Sequence, residues 1–172
     1  MIQTDVQIDD EFEGQVDGGA LSAAVTETLR QQGIERASVT IVITDDETVH
    51  ELNRTYRDVD STTDILSFPN HAPPAPDGQP EQAQISRFVI PPELMEEQQS
   101  YLGDLLISFP YTQRQAARQS RALAAELLLL VVHGTLHLLG YDHADAQEEA
   151  AMWALQNKVL TALGQKPVVN ES

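Results

Sequence analysis

Cysteine is absent from the 172 residues. That excludes disulfide scaffolds, thiolate zinc fingers and cysteine nucleophiles, and it is neutral to mildly favourable for a cytosolic protein. Basic side chains are scarce: 10 lysines and arginines face 27 acids, a net charge of −17. Polyanion binding normally needs a basic face, so this composition argues against a general nucleic-acid binder. The imbalance is uneven. Twenty of the acids fall in the first hundred residues, whereas in residues 101–143 three acids are balanced by Arg114, Arg118 and Arg121. A solvated acidic face is the ordinary reading of such a half. Long apolar runs are missing too. The longest uncharged apolar stretch, residues 127–141, spans 15 residues with two histidines inside, short of the ~20 that cross a bilayer. The first residues are acidic and lack the basic-then-apolar order of a secretory signal. The expectation is a soluble, cytoplasmic protein with no membrane partner. No internal repeat is present, and composition gives no support to collagenous, coiled-coil or wholly disordered chains.

What is present is 41% hydrophobic residues in a length that suits one domain, able to bury roughly 70% of its unfolded surface. Residues 6–8 are a weak strand candidate. Leu21, Ala24, Val25, Thr28 and Leu29 recur at helical spacing before Gly33, predicting a helix over 20–32. Val39, Ile41 and Ile43 alternate, predicting a strand over 38–43. Thr44 and Glu47 have capping-box spacing for a helix to residue 56. A short strand at 65–68 is stopped by Pro69. Seven of the nine prolines then fall between residues 69 and 92. They mark a loop excursion at about 69–97, with a short strand expected near 84–90. Residues 102–108 return as an apolar strand, and Pro110 suits the first turn of a helix to about residue 119. A long apolar helix over 121–139 ends at Gly140. Asp145 and Glu148 have N-cap and N3 spacing for a last helix that turns Met152, Leu155, Val159 and Leu163 inward. The expected fold is α/β of the α+β type, one layered domain over residues 1–172. A small mixed sheet of about four strands packs against about five helices, with a metal site on the long central helix.

Three of the five histidines fall in one eleven-residue run, His133-Gly134-Thr135-Leu136-His137-Leu138-Leu139-Gly140-Tyr141-Asp142-His143. Helical residues four apart share a face about 6 Å apart, so His133 and His137 can chelate one ion. Gly140 can adopt the left-handed conformation that turns the chain back, and His143 can then supply a third nitrogen. Three imidazoles with an open fourth position make a zinc site of catalytic type. A lone helical histidine would more often be a satisfied core residue; three at this spacing point to metal. The H-x-x-x-H-x-x-G-x-x-H spacing is that of metzincin proteases, which carry a glutamate base directly after the first histidine. Here that residue is Gly134. The nearest acid on the same face, Glu126, lies seven residues back, about 10 Å along the axis. Ordinary peptidase activity is not expected.

A second constellation is Leu52-Asn53-Arg54-Thr55-Tyr56-Arg57, then Asp60, then Thr63-Asp64-Ile65-Leu66-Ser67-Phe68-Pro69. A helix end delivers Arg57 into a loop that feeds a strand. A purely structural account has Asp60 and Asp64 capping turns, Asn53 bonding the loop and Arg57 pairing with an acid.

Together these motifs, with Leu102-Gly103-Asp104, resemble the YbeY family of metal-dependent endoribonucleases of rRNA maturation, over residue 38 to the last helix. The resemblance implies that His133, His137 and His143 bind one divalent ion, taken as zinc, and that Arg57 is the groove arginine needed for catalysis. It implies a single-strand-specific endoribonuclease in 16S rRNA 3′ end maturation and ribosome quality control. It also implies partners: single-stranded RNA, a basic small-subunit ribosomal protein and a ribosome-assembly GTPase. Gln156 departs from the family pattern, standing where a glutamate often follows, which puts a role for that position in doubt. The general base stays open between Asp142, another nearby carboxylate and a metal-bound hydroxide. Two alternatives remain: a non-catalytic assembly factor with a structural metal, and a metallohydrolase with a non-RNA substrate.

Overall fold

The computed structural model describes residues 2–70, 101–141 and 145–165. The strand expected near residues 84–90 and nearly all of the proline-rich excursion lie outside the described residues. Four strands, β1 (Ile2–Ile8), β2 (Ala37–Thr44), β3 (Ile65–Pro69) and β4 (Tyr101–Ser108), form one mixed sheet in the order β1-β2-β4-β3. β1 and β4 both run parallel to β2, and β3 runs antiparallel to β4. β1 is longer than the weak signal at residues 6–8 indicated. Its alternation of Gln3, Asp5 and Gln7 with half-buried Ile2, Thr4, Val6 and Ile8 fits an edge strand with one covered face.

Among the described residues five α-helices accompany the sheet: α1 (Gly18–Gln31), α2 (Asp46–Arg57), α3 (Phe109–Arg118), α4 (Leu123–Leu138) and α5 (Ala146–Ala162). α4 packs on β3 and β4, and α1 and α5 pack beside it. The core between them is filled by Leu21, Val25 and Leu29 of α1, Val39, Ile41 and Ile43 of β2, Leu105 and Ile107 of β4, and the leucines and valines of α4. α2 lies on the other face at the β3 edge. Ile65 of β3 reaches toward α4, whereas Phe68, of opposite strand parity, meets Tyr56 of α2 edge-on at 5.7 Å.

Three sequence expectations shift by a residue or two. The α2 cap is Asp45, whose carboxylate accepts from the Thr48 amide at 2.8 Å. Thr44, expected there, is the last residue of β2 and its hydroxyl donates to Asp9 at 2.7 Å. α4 starts at Leu123 rather than residue 121 because the Arg121 amide still closes the end of α3 on the Ala116 carbonyl at 2.9 Å and Ala122 is extended; the Arg121 side chain pairs with Glu126 at 2.8 Å. On α5 the buried positions are Met152, Gln156, Val159 and Leu160, with Leu155 and Leu163 only partly covered.

Candidate metal centre

α4 is apolar nearly all round because it is enclosed nearly all round. From residue 126 to residue 138 every side chain is buried except those of His133 and His137. The two imidazoles share the helix face that the four-residue spacing dictates, with ring centroids 4.5 Å apart and planes at 82°. Their Nε2 atoms face each other at 3.0 Å.

Each ring is held from behind. Gly140 takes φ +100°, a conformation open to glycine, and reverses the chain at the end of α4. The reversal brings the Tyr141 carbonyl 2.9 Å from His137 Nδ1. The Tyr141 hydroxyl in turn donates to Gln32 Oε1 at 2.6 Å, tying this turn to the end of α1. His133 Nδ1 lies 3.0 Å from Oε1 of Gln156 on α5. A carbonyl can only accept, so Nδ1 of each ring carries the proton and each Nε2 offers a lone pair. Two lone pairs converging at 3.0 Å suit a shared cation. Zinc–nitrogen bonds of about 2.0–2.1 Å in a tetrahedron set such nitrogens ~3.3 Å apart. The donor set therefore fits a divalent ion of the imidazole-binding class. The third predicted ligand, His143, lies outside the described residues, as does Asp142.

The position after His133 is closed to a base. A Cβ on Gly134 would sit 2.8 Å from Leu105 Cδ2 and 2.9 Å from Ile65 Cδ1, because α4 lies directly on β3 and β4 there. Glu126 is no substitute: 1% exposed, it accepts from Gln115 Nε2 and Arg121 Nη1, both at 2.8 Å.

Arg57, at the end of α2, is exposed. One Nη donates to the Ser67 carbonyl of β3, and the guanidinium lies 5.6 Å from the Phe68 ring centroid. Among the described residues Arg57 has no acid partner of the kind the structural account needs. Asp60 pairs with His50 at 2.8 Å, and Asp64 accepts from the Ile65 amide at 2.8 Å and from Gln115 at 3.3 Å. Asn53 does bond the loop, donating to the Ser61 carbonyl at 2.9 Å. Sequence reasoning missed Tyr141 as a ring holder, since a backbone carbonyl leaves no mark in sequence. It also set Gln156 aside, though Gln156 is the side chain that meets His133.

A second group of possible ligands was not expected. Carboxylate oxygens of Asp9, Glu11 and Asp45 lie within 4.8 Å of one another where β1 and β2 end. Asp9 is engaged by Thr44, and Asp45 by the α2 amide, whose hydrogen bond holds the Asp45 carboxyl below its usual value of 3.8.

A sequence model described as "Endoribonuclease YbeY" matches residues 3–164. Proteins of that name resemble the chain over much of their length. The one from Roseiflexus castenholzii is 41% identical over 165 residues, 95% of this chain and 94% of its own. The one from Chloroflexus aurantiacus is 43% identical over 143 residues, 83% of each. The one from Pseudomonas putida is 38% identical over 148 residues, 86% of this chain and 81% of its own. Among solved structures, the solution structure of a Thermotoga maritima protein superposes with a TM-score of 0.55 at 22% identity. It covers 95% of this chain and 89% of that one, and it bears on the fold alone.

Proposed function

We propose, starting from the fact that this chain belongs to the endoribonuclease YbeY family and so to the RNA-cleaving hydrolases, that it is a metal-dependent, single-strand-specific endoribonuclease. Its place is the cytoplasm, in maturation of the 16S rRNA 3′ end and in ribosome quality control. The observation that carries metal dependence is the pair of Nε2 atoms at 3.0 Å, each ring fixed by an acceptor on its other nitrogen. His133, His137 and, by sequence spacing, His143 would hold the ion, taken as zinc. An ion so held lowers the pKa of bound water toward about 7 and polarises a phosphoryl oxygen.

The remaining work falls to the chain itself. Arg57 gives one nitrogen to the Ser67 carbonyl, which aims the planar group, and its other N–H groups remain to take two phosphate oxygens in parallel. Gly134 lets α4 lie tight on the sheet, against Leu105 of β4 and Ile65 of β3. Single-stranded RNA is the substrate under this reading. The acidic first hundred residues favour basic partners, a small-subunit ribosomal protein among them, with an assembly GTPase as a further partner.

Cleavage of a single-stranded rRNA fragment tests this reading. Activity is expected with zinc-loaded protein, lost on chelation, restored by added zinc and absent in His137→Ala. Undiminished cleavage by chelated protein would remove metal dependence, and equal cleavage of duplex RNA would remove the strand preference.

A further inference from the structure

Gln156 is a costly residue for the interior of α5. Its side chain is 1% exposed, and its Nε2 is buried without a hydrogen-bond partner. A buried amide with both its donors unmet weakens the fold relative to an apolar side chain of similar volume. Packing therefore does not explain it. Among the described residues its one side-chain hydrogen bond is Oε1 with His133 Nδ1 at 3.0 Å.

We infer that Gln156 is a positioning residue. Its neutral carbonyl pins the proton of His133 on Nδ1 and so presents the Nε2 lone pair toward His137, trading fold stability for a preset ligand. The inference deepens the metal reading of the same site and rests on it. A glutamate at this place would also accept from Nδ1, but would add a negative charge beside the ion. A neutral amide fixes the ring without that charge. Support from a neighbouring acceptor also raises ligand basicity, and loss of such a partner typically lowers metal affinity 10–100-fold.

Two variants separate positioning from packing. Gln156→Leu keeps the volume and removes the acceptor, whereas Gln156→Glu keeps the acceptor. In metal-free wild-type protein, nitrogen NMR of the imidazoles is expected to show His133 protonated at Nδ1. In Gln156→Leu that preference should be lost, and zinc affinity, read by competition with a chromogenic chelator, should fall 10–100-fold. The melting temperature of the metal-free leucine variant should stay level or rise. Gln156→Glu should keep the Nδ1 tautomer and bind zinc within a few-fold of wild type. Wild-type tautomer and affinity in Gln156→Leu would overturn the inference. So would a glutamate variant as impaired as the leucine one. Should the leucine variant not fold, Gln156→Met takes its place under the same criteria, and loss of folding in both apolar variants would overturn the inference in favour of a structural role. Failure of the metal reading itself looks different: wild-type protein that takes up no zinc.

Discussion

Gly134 and Gly103 are both short of space, for different reasons. At Gly134 the crowding atoms are the ends of the Leu105 and Ile65 side chains, which can shift a little within a packed core. Gly134→Ala is therefore expected to cost about 1–3 kcal/mol, as overpacking does. That lowers the melting temperature by ~2–4 °C per kcal/mol in a chain of this size. At Gly103 a Cβ would meet the Phe68 carbonyl oxygen at 2.2 Å, and φ is +142°. Backbone cannot yield as a side chain does, so Gly103→Ala should be the more damaging, with calorimetry ranking the two. Arg57 gives the opposite profile. Among the described residues its contacts are one carbonyl and one ring on an exposed surface, the ring contact worth about 0.5–1 kcal/mol. Arg57→Ala should lower RNA cleavage ~10²-fold while shifting the denaturant midpoint only slightly and leaving metal content unchanged. Arg57→Lys should recover little, because an ammonium lacks the planar fork. Unchanged cleavage with a marked loss of stability would make Arg57 structural.

At the scale of elements, α2 hangs on its cap. Asp45→Ala should cost about 1 kcal/mol, the usual worth of such a residue, whereas the Thr44 hydroxyl belongs to a contact with Asp9. The hydrogen bond from the Thr48 backbone, foremost, holds the Asp45 carboxyl below 3.8. Its share of stability is thus present above the unfolded value and is lost as pH falls through the folded one. Acid titration of wild type against Asp45→Asn checks the sign. On β4 the direction reverses. Burial, and then its hydrogen bond to Asp104, push the Tyr101 phenol above 10.0. That contribution is complete below pH 10 and is lost as pH rises through the folded value. Tyr101→Phe should flatten alkaline unfolding; an unchanged alkaline limb would exclude the phenol as its source. The elements themselves were legible wherever periodicity was strong: α1, β2, α4 and α5 lie where alternation or helical spacing placed them. β1 was under-read because an edge strand with polar Gln3, Asp5 and Gln7 carries half a hydrophobic signal. Thr44 was misread as a cap because Asp45, also a good cap, follows it directly. The histidine pair was legible because a spacing of four has one geometric meaning on a helix. Gln156 was not, since 23 residues of sequence separate it from His133 and only packing of α5 on α4 joins them.

For the whole molecule, the site bridges three bodies: α4 supplies His133 and His137, α5 supplies Gln156, and the turn after α4 is tied to α1 through Tyr141 and Gln32. An ion that binds only the folded chain adds RT ln(1 + [L]/Kd) to stability, about 2.7 kcal/mol at a hundredfold excess over Kd. Zinc should then raise the melting temperature by roughly 5–10 °C in wild type and leave His137→Ala unmoved. An equal rise in both proteins would place the stabilising ion elsewhere.

β3 and β4 are neighbours in the sheet, and Pro69 faces Gly103 across their antiparallel ladder. The Asn70 amide still reaches the Leu102 carbonyl at 2.9 Å. The chain thus leaves the described residues at Asn70 and re-enters them at Tyr101 through one gate that the sheet itself latches. Closure of that gate costs the chain only logarithmically in the length it encloses. A change in the length of residues 71–100 is therefore expected to leave the β3–β4 pairing, His133, His137 and Arg57 in place, with melting temperature and zinc uptake as the check.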